Sequence, residues 1–441
     1  MRSIIISGLI LAAALGVSTA AVASATSPPT PSPAPGSPVT PPGFAVTFNN
    51  ARLLPAQQAA AAKLPPSDVL TSTSCVWAKD CLAVGYNITA NSSASGAPIT
   101  ALWNGSGWKP IAVPLPAGAL GAQLTSVSCK PGGCLATGTY RIAGGRDFPL
   151  AASWTGHGWT FAKPPVPAGG ISAVRSAYLN AASCSAPASC VAVGEYFSAK
   201  TNAEGMFAET WDGSHWKVSP IATPAGGAAT LAAITCRSAT GCVAVGTLAP
   251  KGATITSVLV ESWNGSSWTR QAAPTPAGGG LDSYLTSVSC ASGTSCVAVG
   301  LRFTAGASST PTATGFTEVL TGTTWKVHAI PVPAGRDSEV GGVACTAPTR
   351  CFAVGSTMVH VNHDYRYPYA AIWNGATWSS IPVSPVPRTS SDFWGGGFGS
   401  VDCVSATSCF AVGNEGAIHS ASSHGLTGVW TEPHWKLASF G

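Results

Sequence analysis

The sequence predicts an all-β chain built from one small unit used seven times, and three observations carry that prediction. Cysteines come in pairs on a regular beat, tryptophans come in pairs on the same beat, and no stretch shows helical periodicity. The cysteine motif reads SCVWAKDCLAVG (74–85), SCKPGGCLATG (128–138), SCSAPASCVAVG (183–194) and TCRSATGCVAVG (235–246). It continues as SCASGTSCVAVG (289–300), ACTAPTRCFAVG (344–355) and DCVSATSCFAVG (402–413). The first cysteines of successive copies lie 54, 55, 52, 54, 55 and 58 residues apart. All 14 cysteines are used.

The tryptophan motif fills the second half of each unit: LWNGSGW (102–108), SWTGHGW (153–159), TWDGSHW (210–216), SWNGSSW (262–268), LTGTTW (320–325), IWNGATW (372–378) and VWTEPHW (429–435). Connectors such as PLPAG (114–118), PVPAG (165–169) and PTPAG (274–278) separate the units. Within a unit, LTSVSC is short and rich in β-branched residues and reads as a first strand. CVAVG is a second, joined to it by a tight polar turn. A third ends at the first Trp, as in TSVLVESW (256–263), and a fourth begins at the second Trp, as in WTRQAAP (268–274). Four antiparallel strands per unit and seven units predict a seven-bladed β-propeller. A linear solenoid is the alternative, against which stands the lack of evident polar caps.

The cysteines have three conceivable uses. Structural zinc needs four ligands, and here each pair stands alone in its unit with no histidine at a repeating position. A redox C-x-x-C is excluded by spacing. Facing residues of an antiparallel pair lie within disulfide range, so one disulfide per blade is predicted. The pairs are Cys75–Cys81, Cys129–Cys134, Cys184–Cys190, Cys236–Cys242, Cys290–Cys296, Cys345–Cys351 and Cys403–Cys409. A loop this short contributes roughly 2 kcal/mol on the chain-entropy account. The W-N-G-x-x-W motif reads as scaffolding too: a tight turn that brings two indoles together. Glu209, Glu261 and Glu318, each two positions before the first Trp of the pair or the Leu in its place, follow the same register and read as strand positions.

Residues 1–25 read as a secretory signal with an Ala-x-Ala end at Ala25, an uncleaved anchor being the alternative. Residues 26–43 form a Pro-rich linker, 44–69 an N-terminal extension whose FAVTF (44–48) is a candidate closing strand, and 70–441 the propeller. An exported chain with paired cysteines is expected to be extracellular, in places attached to a cell wall, monomeric, and without a membrane span once the signal is removed. The net charge is +5, and Lys and Arg do not cluster, which argues against a nucleic-acid partner.

The units resemble kelch-type propellers of the galactose-oxidase kind. A glycine closes the second strand (Gly85, Gly138, Gly194, Gly246, Gly300, Gly355, Gly413) and a Trp opens the fourth. Kelch repeats carry a double glycine there, whereas this sequence carries one. The S-C-x(4–5)-C-x-A-x-G and W-N-G-x-x-W pattern is more closely similar to that of secreted actinobacterial repeat proteins. The resemblance implies a fold and leaves the function open.

Function is sought where the repeat breaks. Disulfides and Trp turns occupy one rim, and the second-to-third strand loops and blade connectors share the other. Just after the strand-ending glycines stand Tyr86, Tyr140, Arg141, Tyr196 and Arg302, and in the sixth unit the segment MVHVNHDYRYPY (358–369) offers His360, His363, Tyr365, Arg366 and Tyr367. Rings interleaved with hydrogen-bonding groups suit a sugar or a docked peptide. The expected function is non-enzymatic binding of an extracellular glycan, cell-envelope component or protein. One alternative is a carbohydrate-active hydrolase or lyase in which Glu195, Asp364 and Glu415 converge on a central site; another is a structural surface protein. A metal site from His360, His363 and Asp364 is the weaker reading, because nothing in the sequence fixes their geometry. No metal or cofactor is expected.

Overall fold

The computed structural model describes residues 67–88, 96–167, 170–201, 204–224, 227–276, 280–304, 312–361, 363–383, 393–417 and 423–438. The expected leader, the Pro-rich segment and FAVTF lie outside the described residues. Each repeat folds into four consecutive strands. The first holds β1 (Ser67–Trp77), β2 (Asp80–Ile88), β3 (Ala97–Trp103) and β4 (Trp108–Ile111). The second holds β5 (Gly121–Lys130), β6 (Gly133–Ile142), β7 (Arg146–Trp154) and β8 (Trp159–Ala162). The third holds β9 (Val174–Ala186), β10 (Ser189–Ser198), β11 (Glu204–Trp211) and β12 (Trp216–Pro220). The fourth holds β13 (Ala228–Ser238), β14 (Gly241–Ala249), β15 (Ser257–Trp263) and β16 (Trp268–Arg270). The fifth holds β17 (Gly280–Ser292), β18 (Ser295–Thr304), β19 (Thr312–Thr321) and β20 (Thr324–Ala329). The sixth holds β21 (Asp337–Ala347), β22 (Arg350–Val361), β23 (His363–Trp373) and β24 (Trp378–Ile381). The seventh holds β25 (Phe393–Ser405), β26 (Ser408–Ala417), β27 (Ser423–Thr431) and β28 (His434–Ala438).

The result is an all-β propeller with antiparallel pairing inside each blade, but the expected seven separate blades need correcting. Five four-stranded blades stand alone among the described residues, and the strands of the sixth and seventh repeats form one eight-stranded sheet. The joint is a parallel pairing of β23 with β25 at Arg366 and Gly395. Its cause is local. There the seventh repeat has three consecutive glycines, Gly395, Gly396 and Gly397. A Cβ on Gly395, which sits at φ 94°, would lie 1.8 Å from the Arg366 carbonyl oxygen, so only glycine lets the two backbones meet.

All seven cysteine pairs are disulfides, and no cysteine is free. Each joins direct register partners of the first hairpin, as Cys290 and Cys296 do. The tryptophans also pair across strands: Trp103 faces Trp108 with ring centroids 5.7 Å apart, and Trp211 faces Trp216 at 5.3 Å. In the turn between them Gly105 takes positive φ, while the Asn104 side-chain oxygen accepts the backbone N–H groups of Ser106 and Gly107. Asparagine is there as an acceptor.

Apolar cores lie between repeats. One joins Leu82 and Val84 to Leu124 and Leu150, and another joins Phe410 and Val412 of the seventh repeat to Leu70, Ala83 and Trp103 of the first. β1 packs directly on β25, β26 and β27, so the array closes on itself and the solenoid is excluded. The polar residues of LTSVSC stitch the inner strands together. Thr71 donates to the Leu124 carbonyl and Thr125 to the Leu179 carbonyl, each at 2.8 Å. Ser74 accepts the Cys129 N–H and Ser128 the Cys184 N–H, both at 3.0 Å. At the closing seam Asp402 holds the serine's position and its Oδ2 accepts the Cys75 N–H at 2.7 Å. A carboxylate acceptor makes the stronger bond. The ring is thus tied among its described residues by packing and a side-chain bond between consecutive-strand units, with no strand exchanged.

Candidate functional site

Among the described residues, the second-to-third strand pairing of the sixth repeat runs furthest beyond its glycine. In the fourth repeat the second strand ends three residues after its glycine; in the sixth, β22 and β23 stay paired to Val361 and His363. Residues 358–369, expected as a loop, are therefore the two arms of a β-hairpin. Tyr367 and Tyr369 share one face of β23, two residues apart, yet differ in burial. Tyr369 goes inward and donates its hydroxyl to the Pro331 carbonyl. Tyr367 is 39% exposed, and the Arg336 guanidinium lies 4.5 Å from its ring centroid, a cation–π contact that fixes the ring at the surface.

The base of this hairpin is held by an ion pair and a histidine–carboxylate contact. Arg366 meets Glu339 at 2.7 Å, and the exposed His360 has Nε2 3.2 Å from Oδ2 of buried Asp337. Asp337 also accepts the Ala313 N–H at 3.1 Å and so anchors the fifth repeat. Tyr365 is half-buried on the same arm. His363 and Asp364 occupy β23, and their side chains lie outside the described residues. Arg336, Asp337 and Glu339 were not legible as site residues. Their signal was available in GRDSE (335–339), a run of charges at the entry to β21 in a chain with 9% charged residues.

The other candidates divide differently. Tyr86 and Tyr140 are buried, and burial pushes the Tyr86 phenol up to about 12. Tyr196 is half-buried with its edge on Phe207, and Arg302 is half-buried on β18. Arg141 is buried and clasps Asp147 with two hydrogen bonds of 2.8 Å, which raise its pKa above the ordinary guanidinium value. Tyr178 of the third repeat points its hydroxyl at Asp147 Oδ2 at 3.4 Å and takes Phe197 edge-on.

Glu195 is buried on β10, and the carboxylate it meets is Glu204 on β11, a residue outside the predicted set. Burial first, then the Glu204 charge, holds Glu195 well above the usual carboxylate range; burial does the same for Glu204. Glu415 stands on β26, raised to about 7 by burial alone. Each carboxylate is thus shaped by its own repeat. Glu209, Glu261 and Glu318 lie buried in β11, β15 and β19 as strand residues. His157 and His215 are exposed in their Trp turns, and His434 is half-buried.

No family model matches the chain, and no curated protein matches it. Solved structures similar to it include a GH74 xyloglucanase from Xanthomonas campestris, at 13% identity and a TM-score of 0.49, covering 83% of this chain and 54% of that one. The β-propeller domain of the trilobed protease from Pyrococcus furiosus is similar at 9% identity and a TM-score of 0.47, covering 85% and 99%. YCF48 bound to D1 peptide is similar at 12% identity and a TM-score of 0.44, covering 83% and 95%. The fold of this chain rests on its own strand register and ring contacts.

Proposed function

We propose that the protein is an exported, non-enzymatic binding propeller that takes an extracellular glycan, cell-envelope component or protein on the β22–β23 hairpin of its sixth repeat. The observation that carries the reading is Tyr367, an exposed ring braced by Arg336 on a hairpin tied to the scaffold through Asp337 and Glu339. A rigid exposed ring gives contact area at small cost in side-chain entropy. Beneath it Arg366 and Glu339 neutralise each other, and the surface offers a ring for stacking with the Arg336 guanidinium beside it. Export rests on the leader at 1–25 and on disulfides that use every cysteine.

The test is a glycan array together with a pull-down from extracellular and cell-wall fractions, run with the mature protein and with Tyr367→Ala. Binding that drops at least about tenfold in the variant, roughly 1.4 kcal/mol, is expected for loss of a stacking anchor. Absence of any ligand, or a ligand held equally by the variant, contradicts the assignment of the hairpin.

A further inference from the structure

The second and third repeats carry the same local geometry with different charges, and the difference points to an unfilled position. On the second repeat, Asp147 is the direct register partner of Arg141, with Thr139 diagonal to it. The bidentate bond neutralises a carboxylate that is only 2% exposed. On the third repeat the corresponding positions hold Glu204, Phe197 and Glu195. The acid is kept, its arginine is replaced by an aromatic ring, and the neutral diagonal threonine becomes a second acid. The sixth repeat keeps the balanced arrangement in another form, with Arg366 on Glu339.

Glu195 and Glu204 stand diagonally across antiparallel β10 and β11, since Glu195 pairs with Met206 and Glu204 with Phe197. Alternation sends both side chains to one side of the sheet, and diagonal neighbours are about 7–8 Å apart at the backbone, within joint reach of two glutamates. Glu195 is only 5% exposed, yet its Oε2 has no hydrogen-bond partner among the described residues, nor has Oε1 of Glu204. A buried carboxylate oxygen without a partner costs several kilocalories per mole unless a proton or a cation meets it.

We propose that Glu195 and Glu204 form a binding site for a divalent cation of the calcium class. Hard cations take carboxylate oxygens and complete their shell with main-chain carbonyls and water. No third acidic, histidine or cysteine side chain joins the pair among the described residues, so those are the donors that remain. The cation stands where Arg141 stands on the second repeat: it cancels the two charges and clamps the second-to-third hairpin of the third repeat.

The experiment is calorimetric titration of the full mature chain with CaCl2 and with MgCl2 after dialysis against chelator, paired with thermal unfolding in each salt. The wild type is expected to bind about one calcium and to melt about 2 °C or more higher at saturating calcium. Glu204→Gln, at a half-buried position that tolerates an amide, loses both responses, and Glu195→Gln does the same. Glu209→Gln, which alters a buried glutamate elsewhere, keeps both. No calcium or magnesium heat in the wild type, or an equal response in Glu204→Gln, overturns the proposal. If Glu195→Gln fails to fold, Glu204→Gln alone decides.

Discussion

Glu209 and Glu318 make the pH dependence of stability unusually accessible. Both are fully buried, and both oxygens of each lack a hydrogen-bond partner among the described residues. Burial pushes Glu209 up to about 9 and Glu318 up to about 8 from an ordinary 4.5. The folded chain therefore keeps these protons across neutral pH, whereas the unfolded chain releases them above about 4.5. Stability from each is fully present below pH 4.5 and is lost as pH rises toward the folded value. One pH unit is worth about 1.4 kcal/mol per proton, so each glutamate removes up to about 3 kcal/mol between pH 5 and 7. Glutamine copies the protonated acid but does not titrate. Urea unfolding at pH 5, 6, 7 and 8 is the assay. The wild-type midpoint should fall with rising pH, while Glu209→Gln and Glu318→Gln should each flatten the fall and be the more stable at pH 8. Parallel pH profiles for wild type and both variants would refute the reasoning. Glu261 is the internal contrast: Arg270 at 2.8 Å partly offsets the burial that raises it, so Glu261→Gln, which also removes that ion pair, should gain less at pH 8 than the other two.

Two further substitutions probe the scaffold. Arg141→Ala leaves Asp147 buried without its bidentate partner and should cost about 3–5 kcal/mol in chemical denaturation; Arg141→Ala with Asp147→Ala should recover much of that loss. Gly395→Ala places a Cβ into the Arg366 carbonyl at a backbone angle that disfavours side chains, and should lower stability by about 1–3 kcal/mol. Hydrogen exchange at Arg366 and its neighbours should rise in that variant; unchanged protection there contradicts the account of the eight-stranded sheet.

Most of the scaffold was legible because it is repeated. A cysteine pair seen once is ambiguous, but seven pairs on one beat leave a hairpin staple as the reading with a geometric basis, and Cys290–Cys296 is such a staple. The Trp turns followed for the same reason. The inter-repeat stitch was hidden in plain composition: Ser74 and Ser128 look like ordinary strand serines until the neighbouring strand supplies an N–H. The joint between the last two repeats was hidden because three glycines signal permission for close approach without naming the partner. At the candidate site, position after the strand glycine did not predict exposure. Tyr140 is buried whereas Tyr367, on the equivalent face of its longer hairpin, is exposed, a difference that strand parity does not set. The acid pairings depended on cross-strand partners, so Glu195 met Glu204 rather than the distant acids the sequence offered.

The central claim is that this ring presents the sixth-repeat hairpin as its binding surface. Hydrogen–deuterium exchange, with and without a ligand recovered from the array or pull-down, tests it most directly. Protection gathered on residues 356–369 and the adjoining 335–339 is the predicted result. Protection on the disulfide and Trp-turn rim, with the hairpin unchanged, would contradict it.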